Sequence, residues 1–303
     1  MNDTTAGPGE VSGTPGRREA DPASHLDALI AMALEEDVGP GDRTTEWTVP
    51  SGARGKGRVV AKEGLVVAGL EAACRVFRRV EPSLELSLSV AEGARVPAST
   101  TILEVQGPLR GILTGERTAL NFLARLSGVA TLTRRFVEAV DGTGARILDT
   151  RKTLPGWRVL EKEAVRLGGG ENHRMGLHDM VLVKDNHLVA AGGVRKAVEG
   201  VREGNRAGLP VEVEVTTLEE LDELLPLGVD RILLDNMDLA TLREAVRRVG
   251  ALGQGRALTE ASGNVTLETV RAVADTGVDL ISVGALTHSA ASADLSLRVG
   301  QGG

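Results

Sequence analysis

The sequence is poor in cysteine and in aromatic residues: it has one Cys, three Phe, two Trp and no Tyr. A single cysteine excludes a disulfide within the chain. The acidic balance, with a formal net charge of -7, and the lack of basic tracts interleaved with aromatics argue against nucleic acid as a partner. No apolar run approaches the ~20 residues of a membrane span, and the N-terminus has no apolar signal core. These absences predict a cytoplasmic protein that binds neither nucleic acid nor a membrane.

The chain nevertheless has enough apolar material for a large core, with 42% hydrophobic residues among 303. That length suits one large α/β domain or two smaller ones. Residues 1–24 are rich in Gly, Pro, Thr and charge without periodicity, so they predict a disordered tail. Cys74 lies in the pattern LEAACRVF, which indicates core packing rather than a reactive thiolate.

The first half of the chain mixes helical and extended patterns. SHLDALIAMALEED predicts an amphipathic helix that begins at Ser24, and GPGDRTTEW after it is typical of a turn. GKGRVVAKEGLVVAGL and SLELSLSVAEGARV predict short strands on either side of a helix, EAACRVFRRV. The span LRGILTGERTALNFLARLSGVATLTRRFVEAV has helical spacing throughout, and we expect two helices broken near Ser127 and Gly128. We expect a domain boundary near residue 128 as well.

The second half repeats short apolar strands and amphipathic helices, which predicts a parallel sheet with crossover helices. The predicted strands are RILDT, MVLVKDN, VEVEV, RILLDN, ALTEASG and DLISVG. Polar residues or glycine close nearly all of them, at Asp149, Arg151, Lys152, Lys184, Glu214, Asp235, Glu260, Ser262 and Gly284. In a parallel barrel these strand ends converge on one mouth. About 160 residues are too few for eight units, so we expect an incomplete barrel of six or seven strands.

Residues 146–187 stand out by charge. They contain eight Lys and Arg against six Asp and Glu, and three of the five histidines, inside an acidic chain. A local positive field of this kind favours a small anionic ligand.

The order of these motifs closely resembles the quinolinate phosphoribosyltransferases, also called nicotinate-nucleotide pyrophosphorylases (carboxylating). The resemblance runs from about residue 25 to the C-terminus through GERTALNFLARLSGVAT, LDTRKTLPGWRVLEKEAVRLGGGENHRMGLHDMVLVKDNH, VEVEV, LLDNM, EASGNV and ISVGALTHS. It implies an N-terminal α/β sandwich domain (25–128), an open α/β barrel domain (129–303) and a homodimer. The implied reaction converts quinolinate and phosphoribosyl pyrophosphate into nicotinate mononucleotide, pyrophosphate and CO2.

The resemblance also implies the site. Its cations suit the two carboxylates of quinolinate and the phosphates of the second substrate. They are Arg117, Arg151, Lys152, His173, Arg174 and Lys184, with Thr150 as a further donor. Glu214 and Asp235 would stabilise positive charge at the anomeric carbon or, through water, hold Mg²⁺ on the diphosphate; the metal ligands themselves stay unassigned. Lys152, Glu214 and Asp235 are the implied catalytic residues.

The 5′-phosphate is expected at two loops that present backbone N–H groups and adjoin helix N-termini. The implied phosphate residues are Ser262, Gly263, Asn264, Val283, Gly284 and Ala285. His288 is a further implied substrate-binding residue. The resemblance further implies that Arg117 reaches the site of the other subunit of a dimer. No organic cofactor is implied, because the ribosylated pyridinium ring itself accepts the electrons left by CO2.

Simpler interpretations of single residues remain open at this stage. Glu214 is preferred over Glu212 by the resemblance and not by periodicity, and His173 or His288 can equally be structural. We regard His178 and His187 as structural. The departures from the family pattern at Glu163 and Thr259 do not fall on implied ligand positions.

Three alternative functions also remain open. One is a phosphoribosyltransferase that uses nicotinate and releases no CO2, and the number of cations argues against it. Another is a catalytically silent phosphosugar-binding protein, to which Glu214 and Asp235 would bring no advantage. The last is an aldolase-like barrel with Lys184 as a Schiff-base lysine.

Overall fold

The computed structural model of the protein describes residues 22–301 and shows an α/β fold with a separate antiparallel sheet. Its helices are α1 Pro22–Val38, α2 Arg43–Thr48, α3 Leu70–Val80, α4 Leu109–Ala139, α5 Arg158–Leu167, α6 Asp185–Ala191, α7 Val194–Gly204, α8 Leu218–Leu224, α9 Leu239–Gly250, α10 Val270–Ala274 and α11 Ala285–His288. Its strands are β1 Arg54–Ala61, β2 Leu65–Val66, β3 Glu85–Leu88, β4 Arg95–Val96, β5 Thr101–Pro108, β6 Arg146–Leu148, β7 Val181–Val183, β8 Val211–Val215, β9 Arg231–Asp235, β10 Leu258–Ser262, β11 Leu280–Ser282 and β12 Leu295–Gln301.

The N-terminal part differs from the sequence prediction at two places. The predicted disordered tail lies outside the described residues up to residue 21, and residues 22–24 belong to α1, so that Ser24 is inside the helix. The predicted turn GPGDRTTEW contains a short helix, α2, because the side chain of Asp42 accepts a hydrogen bond from the amide of Thr45 at 3.0 Å. An aspartate in this position stabilises the first turn of a helix.

The first sheet is antiparallel, with the strand order β12-β1-β5-β3. β1 lies between β12 and β5, so the last strand of the chain returns to the sheet that the N-terminal part builds. The predicted helix α3 packs against α4 and buries Val76 and Phe77, and it also buries Cys74, in agreement with its predicted core position.

The long helical span forms one helix, α4, and the predicted break near Ser127 and Gly128 is wrong. Both residues are fully buried in the middle of the helix. The hydroxyl of Ser127 is satisfied there, because it accepts a hydrogen bond from the amide of Ala68 at 3.0 Å. Gly128 lets another segment approach closely: a Cβ at this position would lie 2.0 Å from the carbonyl oxygen of Ala291. A glycine that is needed for packing was interpreted as a helix breaker.

The second sheet has six parallel strands in the order β6-β11-β10-β9-β8-β7. The predicted strands are all present, and β6 and β7 are edge strands, so the sheet is open between them. The incomplete barrel is therefore confirmed, with six strands in this sheet. Among residues 22–301, no helix has the length and hydropathy that crossing a membrane requires.

We expect the substitution Gly128→Ala to destabilise the protein by about 1–3 kcal/mol, because the new methyl group must displace backbone. Gly200→Ala on α7 is the matched control, since a Cβ there meets nothing within 4 Å and the change should stabilise by about 0.5–1 kcal/mol. Denaturant unfolding measures both. A Gly128→Ala protein as stable as the wild type would contradict the close-packing account.

Candidate active site

A cavity of about 650 Å³ opens at the C-terminal ends of the parallel strands. Every residue that the sequence assigned to the site lines this cavity except Arg117 and Val283. The predicted residues that line it are Thr150, Arg151, Lys152, His173, Arg174, Lys184, Glu214, Asp235, Ser262, Gly263, Asn264, Gly284, Ala285 and His288. Residues far apart in the chain therefore share one mouth.

The cationic wall of the cavity comes from two loops. Arg151 and Lys152 follow β6, and Arg174 lies in the segment between α5 and β7. The Nε atom of Arg151 is buried and lacks a hydrogen-bond partner among the described residues. Burial, and next the charge of Arg151, lower the pKa of Arg174. The two guanidinium groups therefore repel each other where burial has removed part of their hydration. A bound anion would offset this repulsion.

A buried ion pair beneath this wall fixes both loops. Lys162 on α5 donates to Asp149, which follows β6, and both side chains are fully buried. Lys162 Nζ also donates to the carbonyl oxygen of His173 at 2.8 Å. Asp149 accepts from the amide of His173 at 2.9 Å and from the side chain of Asn172 at 2.6 Å. Burial raises the pKa of Asp149 and lowers that of Lys162.

Helix α5 supplies two further clamps. Arg158 donates to the hydroxyl of Thr153 at 3.0 Å and to the carbonyl of Met175 at 3.1 Å, so it ties the two cationic loops together. The buried Glu161 accepts from the amide of Leu154 at 3.1 Å and from Arg125 of α4 at 2.9 Å. The sequence prediction assigned no role to these α5 side chains, because their burial is visible only in the structure.

Glu214 and Asp235 form an acidic wall of the same cavity that the cations line. Glu214 at the end of β8 lies 3.3 Å from Nζ of Lys184. Asp235 at the end of β9 accepts hydrogen bonds from Ser262 and, at 2.7 Å, from Asn236. Glu212, the alternative to Glu214, is fully buried below the mouth. The structure thus places Glu214, and not Glu212, on the cavity wall.

The floor holds a cluster that the sequence prediction missed. Donor atoms of His173, Glu212 and Glu260 lie within 4.8 Å of one another, and all three residues are buried. Burial is the main cause that lowers the pKa of His173. Burial, and next the charge of Glu212, raise the pKa of Glu260 to about 8. Glu212 and Glu214 are two residues apart on β8, so their side chains lie on the same face of the strand. This alternation was the sequence signal that could have indicated Glu212 as a neighbour of the site.

The two loops expected to bind phosphate differ from each other. Gly263 has a φ of 98°, and a Cβ there would lie 2.1 Å from the side-chain oxygen of Asn236, so the turn requires glycine. The loop of Ser262, Gly263 and Asn264 was expected to open a helix directly, but α10 begins only at Val270, so this loop does not adjoin a helix N-terminus. Gly284 does immediately precede the short helix α11.

The remaining predicted residues lie elsewhere. Arg117 is exposed on α4 and lines a separate cavity of about 340 Å³ with Ala293 and Asp294. Val283 is 1% exposed and has its backbone N–H bonded to Leu148 at 2.9 Å. His187 accepts from the amide of Lys184 at 2.9 Å.

The chain matches a known family over nearly all of its length. The family model of the quinolinate phosphoribosyl transferase N-terminal domain matches residues 42–127, and the model of the quinolinate phosphoribosyl transferase C-terminal domain matches residues 129–298. A probable nicotinate-nucleotide pyrophosphorylase [carboxylating] of Synechocystis sp. is 46% identical over 276 residues, covering 90% of this chain and 92% of that protein. Quinolinate phosphoribosyltransferase [decarboxylating] 1b of Nicotiana tabacum is 44% identical over 299 residues, covering 92% and 84%.

Solved structures agree. The nicotinate-nucleotide pyrophosphorylase from Francisella tularensis superposes with a TM-score of 0.87 at 37% identity, covering 92% of this chain and 98% of that one. NadC from Streptococcus pyogenes gives a TM-score of 0.86 at 38% identity, with coverages of 93% and 98%. The two family matches and these identities establish that the chain belongs to the quinolinate phosphoribosyltransferase family.

Proposed function

We infer that the chain is a pentosyltransferase of NAD biosynthesis. It transfers the phosphoribosyl group of phosphoribosyl pyrophosphate to quinolinate and removes one carboxylate, giving nicotinate mononucleotide, pyrophosphate and CO2. One observation carries this proposal: four cations and two carboxylates share a single cavity at the strand ends, namely Arg151, Lys152, Arg174, Lys184, Glu214 and Asp235.

The cationic wall is suited to a dicarboxylate. Arg151 and Arg174 lie in separate loops that Arg158 ties together, so two guanidinium forks are held side by side. Each guanidinium group can donate two parallel hydrogen bonds to one carboxylate. The unpartnered Nε of Arg151 supports this proposal, because a buried N–H without an acceptor costs free energy that a bound carboxylate would offset.

The acidic wall is suited to the transfer step. As pyrophosphate leaves, positive charge develops at the anomeric carbon, and Glu214 and Asp235 would meet that charge. Mg²⁺ would supply charge neutralisation on the diphosphate of phosphoribosyl pyrophosphate, and the same carboxylates would hold it through water. Lys152, beside Gly284 at the rim, would contact the phosphate oxygens. These residue roles stay predictions, as does a cytoplasmic location.

A nicotinate phosphoribosyltransferase is the second candidate, because human nicotinic acid phosphoribosyltransferase shares the fold with a TM-score of 0.60 at 14% identity. Paired forks at Arg151 and Arg174 favour two carboxylates over one. Incubation with Mg²⁺, phosphoribosyl pyrophosphate and either acid decides between them. Nucleotide with stoichiometric CO2 from quinolinate is the expected result; nucleotide formation from nicotinate alone would overturn the assignment.

A homodimer belongs to this proposal because Arg117 is exposed and lines a cavity separate from the mouth. The family resemblance implies that it enters the site of the second subunit. Both subunits would then contribute residues to each site.

We expect Glu214→Gln and Asp235→Asn to lower kcat by about 100-fold or more, because charge at these positions matters only as the transition state forms. Calorimetry should find quinolinate affinity nearly unchanged in both variants. Equal losses in kcat and in affinity would show that the carboxylates hold the ground state instead.

Arg174→Ala should have the opposite effect. We expect quinolinate to bind about tenfold to a hundredfold more weakly, since a charge-assisted contact is lost. Arg206→Ala, an exposed arginine away from the cavity, is the matched control and should bind normally. Unchanged quinolinate affinity in Arg174→Ala would remove this residue from the site.

Mixing Arg117→Ala with Glu214→Gln tests the shared site. In a mixed dimer, one site combines the intact Glu214 with the intact Arg117 of the other subunit, and the other site has both defects. Random exchange makes half of the dimers mixed, so activity should recover to about a quarter of the wild type. If native mass spectrometry shows mixed dimers and no activity returns, Arg117 does not act across subunits.

A further inference from the structure

The floor of the cavity contains two carboxylates in an unusual state. Glu212 and Glu260 are fully buried, and none of their four carboxylate oxygens has a hydrogen-bond partner among residues 22–301. The Nε2 atom of His173 lies 2.9 Å from Oε2 of Glu212 and 3.6 Å from Oε1 of Glu260, without the alignment of a hydrogen bond. Two carboxylates offer acceptors only, so the arrangement needs a proton or a cation.

The surroundings favour a proton. Nη1 of Arg231 lies 3.8 Å from Oε2 of Glu260 and already brings positive charge to the cluster, and the charge of Arg174 acts on Glu212 as well. The pKa of Glu260 is raised to about 8, by burial first and by Glu212 next, so this carboxyl group keeps its proton at neutral pH.

The cluster also lies between two cavities. Glu260 and His173 line the mouth cavity, where the substrates are proposed to bind. His173 and Arg231 line a second cavity, of about 310 Å³, together with Met180 and Pro210. Arg231 begins β9, while Met180 and Pro210 immediately precede β7 and β8, so this second cavity lies at the N-terminal ends of the strands. His173 therefore lines both cavities and connects the cluster to the second one.

The proposed reaction consumes one proton at C2 of the pyridine ring. When CO2 leaves, the bond between C2 of the pyridine ring and its carboxylate breaks, and the electron pair remains on C2. C2 must then gain a proton, because nicotinate mononucleotide carries hydrogen at that carbon. The bound phosphates would fill the mouth at this moment, and Lys184 is already paired with Glu214. A lysine that gave up its proton would also weaken the hold on the carboxylates.

We propose that Glu260, with His173 and Glu212 beside it, supplies the proton that replaces the departing carboxylate at C2. The O–H bond of the Glu260 carboxyl group breaks, its proton passes to the carbanion, a C2–H bond forms, and Glu260 is left as a carboxylate beside His173. The cluster then regains a proton from solvent through the cavity at the N-terminal ends of the strands. This inference rests on the proposed function, and it concerns only the step after pyrophosphate has left.

The test separates the two chemical steps. In separate rapid-quench reactions, the wild type and Glu260→Gln are each mixed with Mg²⁺, phosphoribosyl pyrophosphate and quinolinate. Pyrophosphate, CO2 and nucleotides are measured over the first turnover. In Glu260→Gln, we expect pyrophosphate release at the wild-type rate. Formation of nicotinate mononucleotide should slow by about 100-fold or more, because the carbanion recaptures CO2 when no acid is present. The dicarboxylate mononucleotide should accumulate.

Glu219→Gln, an exposed glutamate on α8, is the matched control and should behave as the wild type. Equal slowing of both steps in Glu260→Gln would overturn the proposal, since it would show a general structural role. Normal formation of nicotinate mononucleotide would overturn it too. A wild type that releases no CO2 would instead refute the proposed function, so the two failures are distinguishable.

The pH profile of Glu212→Gln gives a second test that does not depend on Glu260→Gln folding. The groups that face Glu260 are Glu212, His173, Arg231 and the hydroxyl of Ser282. In the wild type, formation of nicotinate mononucleotide should fall as pH rises through about 8. Removing the charge of Glu212 lowers the pKa of Glu260, so the fall should move to lower pH while pyrophosphate release keeps its profile. An unmoved profile would contradict the proposal.

Discussion

The ion pair between Lys162 and Asp149 is the interaction on which the site depends. It lies where water cannot screen it, and three further hydrogen bonds join it to the segment that carries His173 and Arg174. Removing one partner from such a pair costs about 3–5 kcal/mol, while replacing both by uncharged side chains is often nearly neutral. The pair is therefore better explained by what it positions than by what it adds to stability.

Positioning matters because like charges must be held close together. The charge of Arg151 acts unfavourably on Arg174, Arg174 loses hydration through burial, and the Nε atom of Arg151 is buried as well. Loops alone would let the two guanidinium groups move apart. Helix α5 prevents this with three side chains. Arg158 joins the two cation-bearing loops to each other, Glu161 joins the loop after β6 to Arg125 of α4, and Lys162 joins the end of β6 to the loop of His173. A bound anion would offset this repulsion, and this links the fold to the proposed choice of an anionic substrate.

Much of this organisation was predictable from the sequence, for reasons that are local. Each parallel strand is a short apolar run closed by a polar residue, so VEVEV and RILLD indicated their strands, and RILLD indicated the rim residue Asp235. Choosing Glu214 over Glu212 in VEVEV required the family resemblance. The continuity of α4 was not predictable, because the packing role of Gly128 depends on Ala291, which is distant in sequence. Glu260 was visible as a strand-end residue, but its burial against Glu212 depends on the register of β8, β9 and β10. The polar contacts of α5 were not predictable either, because they join segments that are separated in the sequence and meet only in the folded chain.

Calorimetric titration of quinolinate into the double variant Asp149→Asn, Lys162→Met tests this account most directly, with phosphoribosyl pyrophosphate titrated separately as the internal control. The double variant should fold with nearly the stability of the wild type. Its affinity for quinolinate should fall by about tenfold or more, as when the supports of a binding group are lost elsewhere in proteins, while phosphoribosyl pyrophosphate binds almost as before. Wild-type affinity for quinolinate in a folded double variant would contradict the claim that the buried pair positions the dicarboxylate site.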